Sequence, residues 1–181
     1  MFSLLKKELT QFFGSLTGYV VIAVFLIITS LFLWVFEGNY NIPDGGYATL
    51  NGLFDLAPWI YLFLIPAITM RLFAEERKSG TLELLYTRPI SAFWLVMGKF
   101  LASLLVVVMS LLPTLIWYFS VYWLGSPVGS IDSGATWGSF LGLFFLAVIY
   151  LTIGLFTSSL TANQIVAFLL AMIVAFFWFA G

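Results

Sequence analysis

The chain has 181 residues, of which 62% are hydrophobic and only 8% are charged. Soluble domains carry about 25% charged residues, so too few polar side chains are present here to cover a water-facing surface. A net charge of −1 gives no basic surplus for nucleic acid, and zero cysteine and zero histidine exclude disulfides, iron–sulfur clusters and histidine-ligated metals. The composition and the long unbroken apolar runs therefore predict an all-α integral membrane protein.

The N-terminal segment has the pattern of an amphipathic helix lying in the membrane interface. Apolar residues up to Leu16 form a stripe of about 100° at helical spacing, while Lys6, Lys7 and Glu8 fall outside it. A signal peptide is the competing interpretation, but the following apolar run is too long and no small-residue cleavage site follows it. We therefore predict an interfacial helix over 1–17.

Five apolar runs follow, of lengths suited to crossing a hydrocarbon core of about 30 Å as helices. A polar run from Ser158 to Gln164 divides the uncharged C-terminal stretch into two of them. Because the chain ends on a bare apolar run, we expect a sixth span beyond Gly181, and a natural five-span protein is the alternative. The predicted spans of this single domain, 1–181, cover residues 19–36, 56–74, 93–123, 137–157 and 165–180.

Three glycines, Gly134, Gly138 and Gly142, recur every four residues at the start of the fourth span. Small residues at this spacing let helices approach closely. We expect this face to pack against another span of the same chain, with a seam between two chains as the alternative.

If the predicted spans cross the membrane one after another, all the basic residues fall on the same side of the membrane. Two lysines precede the first span, and the other five basic residues lie between 71 and 99. The opposite side carries only acidic residues, namely Glu37, Asp44, Asp55 and Asp132. Because cytoplasmic loops carry the excess of lysine and arginine, we expect the N-terminus and the 71–99 loop to be cytoplasmic.

The loop between the second and third spans carries the most informative pattern. A mixed-charge cluster at 75–78 is followed by Gly80, which permits a turn. Beyond it, Glu83 suits the first turn of a short helix whose apolar residues share one face, and Pro89 ends that helix. We predict a short amphipathic helix parallel to the membrane over 75–88, and an ordinary solvated loop is the alternative.

The chemistry that the sequence lacks also limits the function. Ion-coupled carriers usually place ionisable residues at mid-membrane, and the span interiors have none there, which disfavours an ion-coupled carrier or channel. A phosphate-binding loop is absent, because Gly98-Lys99 is followed by Phe100 where serine or threonine is needed. We therefore expect no enzyme activity, cofactor or metal on this chain. A non-transporting scaffold for envelope or gliding machinery is a further alternative.

The stretch Phe73-Ala-Glu-Glu-Arg-Lys-Ser-Gly-Thr-Leu-Glu-Leu-Leu, followed by Pro89-Ile90-Ser91, resembles the type-2 ABC exporter permeases, especially the gliding-motility-associated permease subunits. The resemblance implies an elbow helix at 1–17, six spans, and a coupling helix that docks on a separate ATPase subunit carrying ATP and magnesium. It also implies a second permease copy or related permease chain, a bacterial inner-membrane location with a cytoplasmic N-terminus, and an unidentified exported substrate. The residues it assigns to the ATPase contact are Glu75, Glu76, Arg77, Lys78, Gly80, Thr81, Leu82, Glu83, Leu84 and Leu85.

Overall fold

A computed structural model describes the backbone of residues 2–80 and 91–181, and their side chains from Leu5 onward. Within these described parts the regular structure is entirely helical, which confirms the all-α class. Four of the helices are long and apolar enough to cross a membrane, and a fifth apolar helix is shorter. Residues 81–90, where most of the predicted coupling helix falls, lie outside the described residues.

Two of the membrane helices, Asn51–Lys78 and Ser133–Leu160, extend beyond the predicted apolar runs by several residues at both ends. Hydropathy marks only the stretch inside the apolar layer, whereas backbone hydrogen bonding continues into the interface. In chain order the helices are α1 (Phe2–Gly14), α2 (Leu16–Ser30, continued by a π-helical turn over Leu31–Val35), α3 (Ile42–Gly45), α4 (Asn51–Lys78), α5 (Ala92–Leu111, followed by a 3-10 turn over Leu112–Thr114), α6 (Leu115–Leu124), α7 (Ser133–Leu160) and α8 (Gln164–Ala180).

The N-terminal helix is shorter than the predicted range of 1–17. Ser15 has an extended backbone (φ −102°, ψ 157°), and its hydroxyl donates to the carbonyl oxygen of Phe12 at 3.1 Å. The chain turns at this point, and Leu16 belongs to the first span, where 79% of it is exposed. The predicted helix is too long because apolar residues lie on both sides of this turn, so the apolar periodicity does not show where the helix ends.

Helix α4 is the centre of the bundle, surrounded by α2, α5, α7 and α8. The ring of Phe25 on α2 stacks on Tyr61 with centroids 4.8 Å apart, and the Tyr61 hydroxyl lies 3.2 Å from the Ser110 hydroxyl on α5. Near the end of α4, Arg71 donates to the Thr17 hydroxyl at the start of α2. These contacts show that α2 and α4 run antiparallel, as consecutive spans must.

Helices α4 and α7 lie side by side and run in the same direction. Near their starts, the rings of Phe54 and Phe140 meet edge to face with centroids 5.0 Å apart. Near their ends, the backbone N–H of Phe73 donates to the Ser158 hydroxyl at 3.1 Å. The register between the helices is therefore almost constant along their length, which gives the bundle one long, closely packed seam.

Helix α8 packs through small residues against α4 and α7. Ala167, Ala171 and Ala175 recur every four residues and are buried, whereas most of the large apolar side chains on α8 are exposed. Small interfacial residues allow close backbone approach, and large outward ones suit a hydrocarbon environment. Near the end of α8, Phe179 contacts Trp59 on α4 with ring centroids 5.3 Å apart.

The glycines at the start of α7 do not pack against another span of the chain, so that prediction is wrong. Gly134, Gly138 and Gly142 are all exposed, and a Cβ added at Gly138 or Gly142 would meet open space. The close approach on this helix is instead at Gly154, where a Cβ would lie 2.8 Å from the Cβ of Thr69 on α4. The repeat lies on the face of α7 that points away from α4.

Candidate functional site

Charged side chains divide between the two ends of the bundle. One end holds α1, the last turns of α4 and the first turns of α5, which carry the basic residues in the described parts of the chain; we call it the basic end. The other end, which we call the acidic end, carries Glu37, Asp44, Asp55 and Asp132. The basic side chains of the described residues are Lys6, Lys7, Arg71, Arg77, Lys78 and Lys99.

At the basic end, a lysine is buried between two carboxylates. Lys99 on α5 is 1% exposed, and its ammonium lies 3.1 Å from Glu8 Oε1 and 2.9 Å from Glu76 Oε1. Lys7, which is half exposed, lies 3.5 Å from Glu76 Oε1 and 3.9 Å from Glu8 Oε1. The ring of Phe73 completes the pocket, with its centroid 5.2 Å from the Lys99 ammonium. We call Lys7, Glu8, Glu76 and Lys99 the Lys99 cluster.

The Lys99 cluster joins three elements that are far apart in the chain. Glu8 lies on α1, Glu76 in the last turn of α4, and Lys99 on α5. A buried charge is tolerated only when it is paired, because its loss of hydration costs several kcal/mol. The positions of α1, α4 and α5 relative to one another are therefore interdependent at this end.

Burial of Glu8 corrects the sequence interpretation of α1. Periodicity places Glu8 outside the apolar stripe and so facing water, yet the residue is 2% exposed. The reason is that α1 packs against α5, and Lys99 supplies the counter-charge from that helix. Lys99 itself lies near the start of the predicted third span, 93–123, and a charge inside an apolar span is the signal that could have identified it.

The predicted coupling residues at 75–78 form the end of α4 rather than the start of a separate helix. The N–H of Ser79 donates to the carbonyl oxygen of Glu75 at 3.0 Å, so helical hydrogen bonding continues to this point. Gly80 then takes the left-handed conformation, with φ of 70°. Of the predicted contact residues, Thr81, Leu82, Glu83, Leu84 and Leu85 lie outside the described residues.

The residues at the end of α4 point in different directions. Glu76 faces inward to the Lys99 cluster, whereas Glu75, Arg77 and Lys78 are exposed. The guanidinium of Arg77 donates to the carbonyl oxygen of Ser159 at 2.9 Å. This contact satisfies a carbonyl group at the C-terminus of α7 and places a positive charge at the negative end of its dipole.

Ser158 adds a second link between α4 and α7, which sequence reasoning missed. Its hydroxyl accepts from the N–H of Phe73 at 3.1 Å and donates to the carbonyl oxygen of Met70 at 3.1 Å. In the sequence Ser158 begins the polar run between two predicted spans, which indicates a loop. It lies instead inside α7 and fully buried, because its hydroxyl finds its partners on the backbone of α4.

The charged side chains at the basic end mainly hold helices together. Within residues 2–80 and 91–181, no group of acidic side chains is placed to hold a metal ion. The buried charges are used in contacts between helices at the basic end. The end of α4 is therefore in contact with α1 and α5 through the Lys99 cluster, and with α7 through Arg77 and Ser158.

The long apolar helices define a multi-pass membrane protein. A family model described as ABC-2 family transporter protein matches residues 3–181, and the chain belongs to this family. It is thus an ABC transporter permease, of a family whose members are transmembrane subunits and in general work with a partner ATPase. Comparisons with curated proteins and with solved structures found no match. The gliding-motility subtype stays a prediction.

Proposed function

We propose that the protein is the permease subunit of an ABC exporter in the bacterial inner membrane, with the basic end in the cytoplasm. ATP and magnesium are bound by a separate ATPase subunit, and the substrate is unidentified. The observation that supports this proposal is the Lys99 cluster, because it joins three helices at the point where α4 leads into residues 81–90.

The length of α4 explains how a movement at the basic end reaches the rest of the bundle. Its 28 residues extend about 42 Å, which exceeds the hydrocarbon core of about 30 Å. The charged last turns therefore project from the apolar layer while the helix stays continuous. A push beyond Gly80 acts on this projecting end, and the Lys99 cluster makes α1 and α5 follow, so the spans tilt together.

The remaining parts of the proposal follow from the family and from the charge distribution. Excess basic charge favours the cytoplasmic side, which places α1 and the 71–99 loop where an ATPase can reach them. Glu75, Arg77, Lys78, Gly80 and the segment Thr81–Leu85 form the contact with that ATPase, whereas Glu76 holds the end of α4 to the Lys99 cluster. A second permease copy or a related permease chain completes the transport path, and involvement in gliding motility belongs to the same proposal.

Association with the ATPase tests the coupling contact. The full chain is co-expressed with candidate ABC ATPase subunits from the same genome, purified, and assayed for co-purification and stimulated ATP hydrolysis. We expect Leu82→Asp to abolish both, because it puts a charge into the proposed apolar contact. The control, Tyr47→Asp, changes a side chain that is 79% exposed in the loop at the acidic end, and it should leave both unchanged. Full association and stimulation with Leu82→Asp would refute the coupling contact.

Thiol labelling tests the orientation. The chain has no cysteine, so an introduced cysteine is its only thiol. Ser79→Cys reports on the basic end and Asn39→Cys on the acidic end, and both positions are exposed. A membrane-impermeant maleimide applied to spheroplasts should label Asn39→Cys at once, and Ser79→Cys only after permeabilisation. The reverse pattern would place the basic end outside the cell and remove the proposal.

A further inference from the structure

A cavity of about 130 Å³ lies where α1 turns into α2, beside the last turns of α4. Its lining is partly charged, with Glu8 and Lys99 of the Lys99 cluster, and partly apolar, with Phe12 and Leu72. The cavity therefore offers both a charged surface and an apolar one to whatever occupies it.

Two exposed side chains of opposite charge also line this cavity. Arg71 and Glu75 are one helical turn apart on α4, about 6 Å along its axis. Arg71 donates to the Thr17 hydroxyl at 3.4 Å, and within the described parts of the chain neither it nor Glu75 takes part in an ion pair. Both charges are thus available to a ligand that carries one charge of each sign.

The position of the cavity indicates the environment of that ligand. An amphipathic helix such as α1 lies at the level of the lipid headgroups. The cavity is at its end, next to Ser15, and the first residues of α2 beyond it expose large apolar side chains, with Leu16 at 79%, Tyr19 at 57% and Val20 at 51%. A ligand with a charged head and hydrocarbon chains matches this surface.

We propose that the cavity binds the headgroup of a phospholipid that carries a phosphate and a primary ammonium, as phosphatidylethanolamine does. The phosphate accepts from the Arg71 guanidinium, the ammonium donates to the Glu75 carboxylate, and the acyl chains lie along the start of α2. Phosphate and ammonium are joined by a bridge of only two carbons, and Arg71 and Glu75 are likewise close, one helical turn apart along α4. Phosphatidylglycerol lacks the ammonium, and the quaternary nitrogen of phosphatidylcholine has no N–H to donate. This site depends on the cavity and its two charges and not on the proposed transport function, although Glu75 also belongs to the proposed ATPase contact.

Native mass spectrometry of the delipidated full chain tests the proposal. The protein is incubated with equal amounts of phosphatidylethanolamine, phosphatidylcholine and phosphatidylglycerol, and the lipid adducts are counted. We expect phosphatidylethanolamine adducts to predominate, and Arg71→Ala or Glu75→Gln to weaken them by about tenfold or more, since each removes a charge-assisted hydrogen bond. Lys78→Ala is the matched control, because Lys78 is an exposed basic residue of the same helix outside the cavity.

Three results would overturn the lipid site. Equal binding of the three lipids, or an equal loss with Lys78→Ala, would show bulk surface attraction. The third result concerns free phosphoethanolamine, which has the same charges without acyl chains. If it binds with the same dependence on Arg71 and Glu75 while the lipid does not, the cavity binds a soluble zwitterion. Circular dichroism of each variant establishes that its helices are intact.

Discussion

Replacement of Lys99 by methionine is expected to lower the free energy of unfolding by about 3–5 kcal/mol. The substitution keeps the length and apolar stem of the side chain but removes the ammonium that lies between Glu8 and Glu76. Both carboxylates are then left close together with only the half-exposed Lys7 to balance them. Denaturation of the purified protein in detergent, followed by circular dichroism, measures the loss.

Lys78→Met is the matched control for this prediction. Lys78 is exposed at the end of α4, so the same chemical change there should alter stability by less than about 0.5 kcal/mol. Adding Glu8→Gln to the Lys99→Met variant removes one of the stranded charges and should recover part of the loss. An equal effect of Lys99→Met and Lys78→Met, or no recovery with Glu8→Gln, would show that the Lys99 cluster does not stabilise the fold.

Gly154→Ala is expected to lower the free energy of unfolding by about 1–3 kcal/mol, through overpacking of the contact between α4 and α7. The added Cβ would come closest to the hydroxyl oxygen of Thr69, and it would also lie 2.8 Å from the Cβ and 3.0 Å from the Cγ2 of that residue. Thr69 is fully buried, and its hydroxyl donates to the carbonyl oxygen of Ile65 at 3.0 Å, so its side chain has little freedom to move away. The helices must separate instead, and denaturation in detergent reports the loss.

Gly142→Ala on the same helix is the control, since a Cβ at that position meets open space. It should be neutral or stabilising by up to about 1 kcal/mol, because alanine favours a helix over glycine. Combining Gly154→Ala with Thr69→Ala removes two of the three close contacts and should make the double variant more stable than the sum of the single effects predicts. Additive effects, or an equal response at Gly142 and Gly154, would show that the two helices are not in tight contact there.

The surroundings of Lys99 and Gly154 also show where sequence reasoning succeeds and where it fails. The spans and the separation of charge follow from hydropathy and from the order of residues, which are local properties. The burial of Glu8 does not, because its counter-charge is 91 residues further along the chain. Periodicity identifies the apolar face of α1 by itself, whereas the burial of a polar residue depends on the partner helix.

The glycines make the same point about packing. The regular spacing of Gly134, Gly138 and Gly142 predicted close packing within the chain, yet the isolated Gly154 is the residue that contacts α4. Spacing shows which residues share a face of a helix, but not which face meets a neighbour. The end of α4 is similar, because the charges at 75–78 mark the end of the apolar layer, and hydropathy does not show that the helix continues through them to Lys78.

The composition of the Lys99 cluster has a consequence for the energetics of transport. Two acidic and two basic residues give it formal charges that sum to zero. Moving one elementary charge through the membrane field requires about 2.3 kcal/mol per 100 mV, whereas moving a group without net charge requires almost no such work. In the proposed rocking of the helices, movement of this cluster should therefore add almost no dependence on the membrane potential.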